Sequence, residues 1–268
     1  MKILGCFKIV PNLDLVAEED WAADDRLQID TGYVKIQWDC FDESALEMML
    51  KLSDLSEGFD VVYELNALTI GKRQHEPFLK TLYALGFGHT VRVNPEKDQT
   101  FCPEQTAEMI KNYVLKMSGH DVIVMGTQSS DGSNMKTPLL LAEMLGWPCI
   151  TQVIGLEPVD ETHLKVKSQI SGGNLIQTVK LPCVLAVGNA PSSYLRVPTL
   201  KAKMKLGKQP IEQIDGAQLT DGAESTVELI SLDKVDNHRE TVLIEGDSAE
   251  EKARILYDSY LKGRVEKL

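Results

Sequence analysis

The chain has 268 residues, 43% hydrophobic and 25% charged, which suits a soluble globular protein of one large or two small domains. Its 40 acidic against 28 basic residues give a net charge of −12, which argues against nucleic acid or an anionic membrane surface as partner. No run approaches the ~20 apolar residues of a membrane span, and MKILGCFKIV is too short and polar-flanked for a signal peptide.

In chain order, Lys2–Val10 reads as a first strand, and Leu27–Trp38 as a hairpin around Thr31-Gly32. Asp42–Leu55 is predicted as an amphipathic helix with apolar Ala45, Met48, Met49, Leu52 and Leu55, and with Asp42 as its N-cap. A strand over Val61–Leu65 leads to a helix near Pro77–Leu85, stopped by Gly86, and then to the strand Thr90–Val93. Thr100–Pro103 opens a helix running to about Met117. The β-branched run Val122–Met125 reads as a buried parallel strand, and Pro138–Leu145 as a buried helix ending at Gly146. These repeated strand–helix units predict an α/β fold with a doubly wound, mainly parallel, Rossmann-like sheet of the adenine-nucleotide-binding type. His163–Ile170 and Leu175–Val187 then alternate like antiparallel strands about the turn Ser171-Gly172-Gly173-Asn174, an antiparallel extension. Beyond Asn189 the chain reads as loop, basic at Lys201, Lys203, Lys205 and Lys208. A last strand, Thr241–Ile244, precedes a helix opened by the capping-box pair Ser248 and Glu251.

Catalytic signatures are sparse. The histidines His75, His89, His120, His163 and His238 lie far apart and match no metal-ligand spacing, and no Gly-x-Ser-x-Gly elbow occurs. The odd, scattered cysteines Cys6, Cys40, Cys102, Cys149 and Cys183 read as reduced thiols, so the expected compartment is cytoplasmic. The loop in "DVIVMGTQSSDGSNMKT" is a different matter. It leaves a strand's C-terminal end and enters a helix N-terminus, where exposed N–H groups and the helix dipole favour a phosphate. An ordinary solvated turn is the plainer reading of the same glycine and serines.

Several segments together resemble the small (beta) subunit of electron-transfer flavoproteins, over nearly the whole chain. KILGCFKIVP matches that family's first strand and lysine-containing loop, and CFDESALEMMLKL is similar to its Asn-Pro-(Phe/Tyr)-Asp-Glu-x-Ala-x-Glu motif. VMGTQSSDGSN followed by LLLAEMLGWP matches Gly-x-Gln-(Ala/Ser)-x-Asp, a helix and a Trp-Pro pair. SGGNLIQTVKLPCVLAV resembles the Glu-Gly-Gly turn and Leu-Pro strand, and RETVLIEGDSAEEKARIL the closing strand and helix. The resemblance lies in the order and spacing of motifs that are individually unspecific.

The resemblance implies an electron carrier rather than an enzyme in its own right: one subunit of a heterodimer that passes electrons through FAD held mainly by the large (alpha) subunit. Acyl-CoA or other flavin dehydrogenases would be its redox partners. AMP would be bound structurally in this chain, by Cys6 on the first strand, by Asp39, Cys40, Phe41 and Asp42 before the first helix, and by Ile70 behind a strand. The phosphate loop Gly126–Thr137 would contribute Gly126, Thr127, Gln128, Ser129, Asp131, Gly132, Ser133, Asn134, Lys136 and Thr137. The family's recognition loop would fall near 188–208, with Leu195 and Leu200 at the partner surface. Residues 1–210 would form the nucleotide-binding core and 211–268 a segment packing on the large subunit.

This chain departs from the family pattern at several of these positions. Met135-Lys136-Thr137 replaces Asn-Gln-Thr, Asp39 stands where asparagine is usual, and Ser171-Gly172-Gly173 replaces Glu-Gly-Gly. A bifurcating form of the family carries a second FAD in place of AMP. Val10-Pro11 and Asp131-Gly132, whose glycine would let a pyrophosphate approach closely, lean that way, so the second FAD stands as the alternative. Plainer roles also exist for the same residues: Cys6 as a small buried apolar group, Asp42 as a cap, Lys136 as a solvated charge, and Leu195, Val197 and Leu200 as core. A stand-alone adenine-nucleotide sensor, like universal stress proteins, is the reading from another class. The antiparallel extension and C-terminal helix are surplus to that plan.

Overall fold

The computed structural model describes residues 1–59, 61–96, 99–191, 194–221, 228–234 and 241–265. Two compact units are present, Met1–Leu232 and Asp233–Leu268.

In the first unit the strands are β1 (Lys2–Cys6), β2 (Ile9–Pro11), β3 (Ile36–Trp38), β4 (Glu64–Ile70), β5 (His89–Asn94), β6 (Val122–Gly126), β7 (Cys149–Asp160), β8 (His163–Ile170), β9 (Gly173–Lys180), β10 (Cys183–Val187) and β11 (Glu212–Asp215). The helices are α1 (Cys40–Asp54), α2 (Glu76–Leu85), α3 (Pro103–Asn112), α4 (Thr137–Leu145) and α5 (Leu200–Leu206). A nine-stranded sheet has the order β11-β5-β4-β1-β6-β10-β7-β8-β9, while β2 and β3 form a separate antiparallel pair. All neighbours from β11 to β7 run parallel, and β7-β8-β9 is an antiparallel meander.

Alternation along the strands divides the core between the two faces. Ile3, Val122 and Val124 pack with Leu46, Met49 and Leu52 of α1 and with Leu79 and Leu82 of α2. Leu4, Cys6, Ile123 and Met125 pack with Ala107 and Ile110 of α3 and with Leu141 of α4. Close approach of α1 to the sheet depends on glycine. A Cβ on Gly5 would lie 2.8 Å from both Leu46 Cδ2 and Met49 Sδ, and one on Gly126 would lie 2.7 Å from Phe41 Cβ. Gly86 and Gly146 end α2 and α4 in the left-handed region, as their sequence positions predict.

Several expected elements differ. The strand expected over Lys2–Val10 breaks after Cys6, because the Lys8 N–H donates to the Asp42 carboxylate instead of a sheet neighbour. The hairpin expected over Leu27–Trp38 is absent. Asp24 Oδ1 accepts from the N–H groups of Arg26 and Gln28, which folds that stretch into a local turn, and Ile36–Trp38 pairs with Ile9–Pro11. The strand expected at Val61–Leu65 lies over Glu64–Ile70, where Asn66 and Thr69 interrupt the apolar run yet are buried. Leu175–Val187 is two strands: β9 stays in the meander, whereas β10 crosses over to run parallel between β6 and β7. Strand β7, helix α5 and strand β11 have no counterpart in the sequence reading, and residues 241–244 form no strand.

In the second unit α6 (Ala249–Leu256) begins at Ser248, whose hydroxyl accepts from the Glu251 N–H at 3.1 Å. A π-turn over Tyr257–Leu261 and α7 (Lys262–Val265) continue it, and Leu256, Tyr257, Tyr260, Leu261 and Val265 are exposed.

Candidate functional site

The strand order reverses at β1. The chain passes from β1 to β4 and β5 on one side, then returns to place β6 on the other. In an open parallel sheet, ligands collect outside the carboxyl ends of the strands at such a switch point. A cleft of about 770 Å³, its mouth included, lies there. Cys6, Leu68, Ile70 and Met125 at the strand ends, with Pro103 and Ile110 of α3 and Pro138 of α4, make its apolar walls. Lys8, Asp42, Thr127, Gln128, Ser129, Asn134 and Thr137 supply polar groups.

The loop from Gly126 to Thr137 is held from below by α1. Asp39 caps that helix, accepting from the Phe41 N–H at 3.2 Å, and its other oxygen accepts from the Ser130 N–H at 2.6 Å. Asp42, expected as the cap, instead sits in the helix's first turn, fully enclosed. Its oxygens accept from the Gly126 N–H at 2.6 Å and the Lys8 N–H at 2.7 Å. Burial raises the Asp42 carboxyl, and the nearby Asp39 charge raises it further, while the two N–H donors and Lys8 pull it down. Asp39 is likewise raised by burial, against the pull of its own N–H donors. Burial also pushes the Cys6 thiol far up, so this group is a neutral wall and not a nucleophile.

Within the loop, Ser129 Oγ accepts from the Gly132 N–H at 3.3 Å, and Ser129 O accepts from the Ser133 N–H at 2.8 Å. The left-handed backbone falls on Ser133 (φ 46°) and Met135 (φ 57°), not on Gly132. What Gly132 supplies is room: a Cβ there would lie 3.1 Å from Thr100 O and 3.2 Å from Ser129 Oγ. Lys8 Nζ crosses from the end of β1 to Asp131, 2.8 Å from its carboxylate. Gln128 Oε1 is buried with no hydrogen-bond partner among the described residues, an acceptor that an amino or hydroxyl group entering the cleft would satisfy.

Of the residues singled out in the sequence, the structure brings Cys6, Asp42, Ile70, Gly126, Thr127, Gln128, Ser129, Asn134 and Thr137 to the cleft. Asp39, Gly132 and Ser133 shape the loop from behind, and Cys40 and Lys136 are exposed. Asp131 faces a second, wider and more polar cleft, which shares Lys8, Ile70, Gln99 and Thr100 with the first. Sequence reading missed Gln99, Thr100, Pro103, Thr106 and Ile110. The available signal was positional: α3 follows a strand of the same sheet, so its N-terminus opens over the same edge.

The loop beyond β10 lies on the other side of α1. Leu195 is buried at 9% exposure and packs in the core, whereas Tyr194, Val197 and Leu200 are exposed at 81, 84 and 75%. Of the two leucines expected at a partner surface, Leu195 therefore turns inward and Leu200, the first residue of α5, faces out. Among the described residues no group of three or more His, Cys, Asp or Glu is arranged to hold a metal ion, and no helix is long and apolar enough to cross a membrane.

Comparison with known proteins agrees with this architecture. A family model described as electron transfer flavoprotein domain matches residues 29–219. The Escherichia coli (strain K12) protein named "Putative electron transfer flavoprotein subunit YgcR" is 32% identical over 269 residues, covering 99% of this chain and 100% of that protein. Electron transfer flavoprotein subunit beta of Bacillus subtilis (strain 168) is 26% identical over 211 residues, covering 76% of this chain and 79% of that protein. With a parallel sheet, a switch-point cleft and a match over most of its length, the chain belongs to the electron transfer flavoprotein family, as a small, beta-type subunit.

Proposed function

We propose that this chain pairs with a large, alpha-type subunit, that FAD held mainly by that subunit carries electrons between flavin dehydrogenases and an acceptor, and that the cleft of this chain binds AMP as a structural group. The observation that carries the nucleotide assignment is the chemistry of the cleft. Leu68, Ile70 and Ile110 offer an apolar slot for a purine, the Gln128 carbonyl stands buried and unsatisfied beside it, and the hydroxyls of Thr127, Ser129 and Thr137 line its polar part. The N-terminal end of α4, a nine-residue helix opening at Thr137, adds N–H groups and a favourable dipole for a phosphate. Flavin, when bound, supplies the one- and two-electron chemistry; the residues of this chain bind, orient and enclose.

The exposed face Leu256, Tyr257, Tyr260, Leu261 and Val265 supports packing of the segment after residue 210 on the large subunit. The exposed apolar residues Tyr194, Val197 and Leu200 support docking of acyl-CoA or other flavin dehydrogenases at the 188–208 loop. A cytoplasmic location is part of this proposal.

The test is co-expression with the large subunit, followed by denaturation and quantification of released nucleotides. One FAD and one AMP per heterodimer are expected, with little or no flavin on this chain expressed alone. The second cleft favours one other reading. Because it shares Lys8, Ile70, Gln99 and Thr100 with the first, a ligand longer than AMP can pass from one to the other. Two FAD and no AMP per heterodimer would establish that bifurcating-type reading. A flavin-free chain that binds ATP as a stable lone homodimer would replace both with a nucleotide sensor.

A further inference from the structure

Two backbone N–H groups of the loop after β10 are held by carboxylates of α1. Leu195 N–H donates to Glu43 Oε1 at 3.1 Å, and Arg196 N–H donates to Glu47 Oε2 at 3.0 Å. The Arg196 guanidinium then closes on the same carboxylate, with Nη2 to Oε1 at 2.8 Å and Nε to Oε1 at 3.1 Å, and its Nη1 reaches Asp54 at 2.7 Å. Glu47, on α1, is only 5% exposed. A carboxylate so enclosed demands a fixed cation, and the planar fork of arginine meets it through a defined geometry that lysine cannot copy. Leu195 is buried beneath this attachment, while Val197 and Leu200 stand clear immediately after it.

We propose that Glu47 and Arg196 form a positioning clamp for the docking surface: they fix the base of the loop on α1, so that Tyr194, Val197 and Leu200 are presented to a flavin dehydrogenase as a preset apolar patch. The inference rests on the docking reading given above. Its physical basis is preorganisation. A segment already ordered before encounter loses less conformational freedom on binding, so a loosened loop weakens association without touching the flavin chemistry. Glu47 and Arg196 act through the loop and need not touch the partner.

The experiment uses the heterodimer with its flavin bound and, as probe, whichever member of a panel of acyl-CoA and other flavin dehydrogenases reduces the wild-type complex fastest. Glu47→Gln and Arg196→Lys are each expected to raise KM for that dehydrogenase about tenfold, as loss of an interface-organising residue does, with kcat and flavin content unchanged. Amide exchange at Val197, Thr199 and Leu200 should quicken in both. Leu200→Ala should also raise KM, and Arg196→Lys added to it should bring no further rise, because the clamp acts only through what it presents. The clamp is overturned if Leu200→Ala raises KM while both clamp variants leave it unchanged, or if the effects of Arg196→Lys and Leu200→Ala multiply. The docking reading itself is overturned if Leu200→Ala has no effect, or if no dehydrogenase of the panel reduces the complex. Should Glu47→Gln fail to fold, Arg196→Lys, at a half-exposed side chain, decides the question alone.

Discussion

Two loops leave the sheet at the carboxyl ends of the adjacent strands β6 and β10, and the same helix holds both. At its N-terminal end α1 gives Asp39 and Asp42 to Ser130 and Gly126; further along it gives Glu43 and Glu47 to Leu195 and Arg196. Each attachment is a carboxylate accepting a backbone N–H, yet the loops end differently. The first folds over the cleft and puts carbonyl, hydroxyl and N–H groups at its walls, whereas the second pushes Val197 and Leu200 into solvent. The difference teaches that α1 supplies anchorage to both, and that loop composition decides whether the anchored segment turns polar groups into a cleft or apolar side chains into solvent.

The largest effect that could break this comparison is expected at Asp42. Asp42→Ala leaves the enclosed N–H groups of Gly126 and Lys8 without acceptors, which should cost about 2–4 kcal/mol and empty the cleft of nucleotide. Urea unfolding with nucleotide analysis checks this, and a variant as stable as the parent would show that Asp42 does not hold the loop. Leu200→Ala comes next. It should slow reduction by the partner dehydrogenase about 30-fold, or ~2 kcal/mol, with stability and cofactor content intact, since the side chain is 75% exposed. Added salt should slow the encounter by screening Lys201, Lys203 and Lys205 but should not reproduce the leucine's contribution. Unfolding or cofactor loss in Leu200→Ala, with unaltered kinetics per folded molecule, would move Leu200 to the core and dissolve the contrast.

A smaller change is expected for Gly132→Val. Its Cβ would press on Thr100 O and Ser129 Oγ, so the loop must shift, at about 1–2 kcal/mol and with lower nucleotide occupancy. Full occupancy, measured by the same release assay, would place the nucleotide away from this loop.

The smallest effect is in pH dependence, and its sign should be the same at the two anchorages. With Asp42 held above its ordinary value by burial and by Asp39, the folded state retains a proton that the unfolded chain has released. The associated stability is present at low pH and lost as pH rises from the ordinary carboxylate range through the raised folded value. His75 and His120, both depressed to about 4 by burial, run the other way: their contribution is complete above pH 6.5 and is lost as pH falls from there towards 4. Subtracting the stability curve of Asp42→Asn from that of the parent cancels the histidines and should leave a difference that declines with rising pH. A flat difference would mean that Asp42 titrates normally. The loop after β10 should show a decline of the same sign through Glu43, whose carboxyl burial raises against the pull of the Leu195 N–H, while Arg196, raised further by Glu47, stays charged.

Much of the cleft was legible in the sequence, for reasons that particular residues make plain. Val122–Met125 followed by glycine, small polar residues and Pro138 is a local signature of strand, loop and helix, and the structure places its Gly126, Gln128 and Thr137 at the cleft. The partners of that loop were not legible. Asp42 meets Gly126 across 84 positions and Lys8 meets Asp131 across 123, and no periodicity links residues so far apart. Asp42 looked like a cap because a capping aspartate and an enclosed acceptor share the same residue type. Asp39 takes the cap because the helix begins two positions earlier than the apolar spacing marks, at Cys40. Strand β7 escaped notice because Gln152, in the left-handed region at φ 53°, and register shifts on both sides of the β7–β8 pairing break the two-residue period that announces a strand.

By itself, then, the sequence determined what short-range physics decides: the stops at Gly86 and Gly146, the cap at Ser248, the turn at Gly172 and the alternation of β8. Each depends on the conformational range of one residue or the pattern of a few neighbours. Only the tertiary structure decided that Cys183–Val187 enters the sheet between β6 and β7, that Leu195 faces inward while Leu200 faces out, and that one helix anchors both loops. A buried apolar strand fits any interior slot of a parallel sheet, and a carboxylate accepts any N–H that reaches it. The choice among such equivalents is made when the whole chain packs, because only then are the competing partners brought within contact distance.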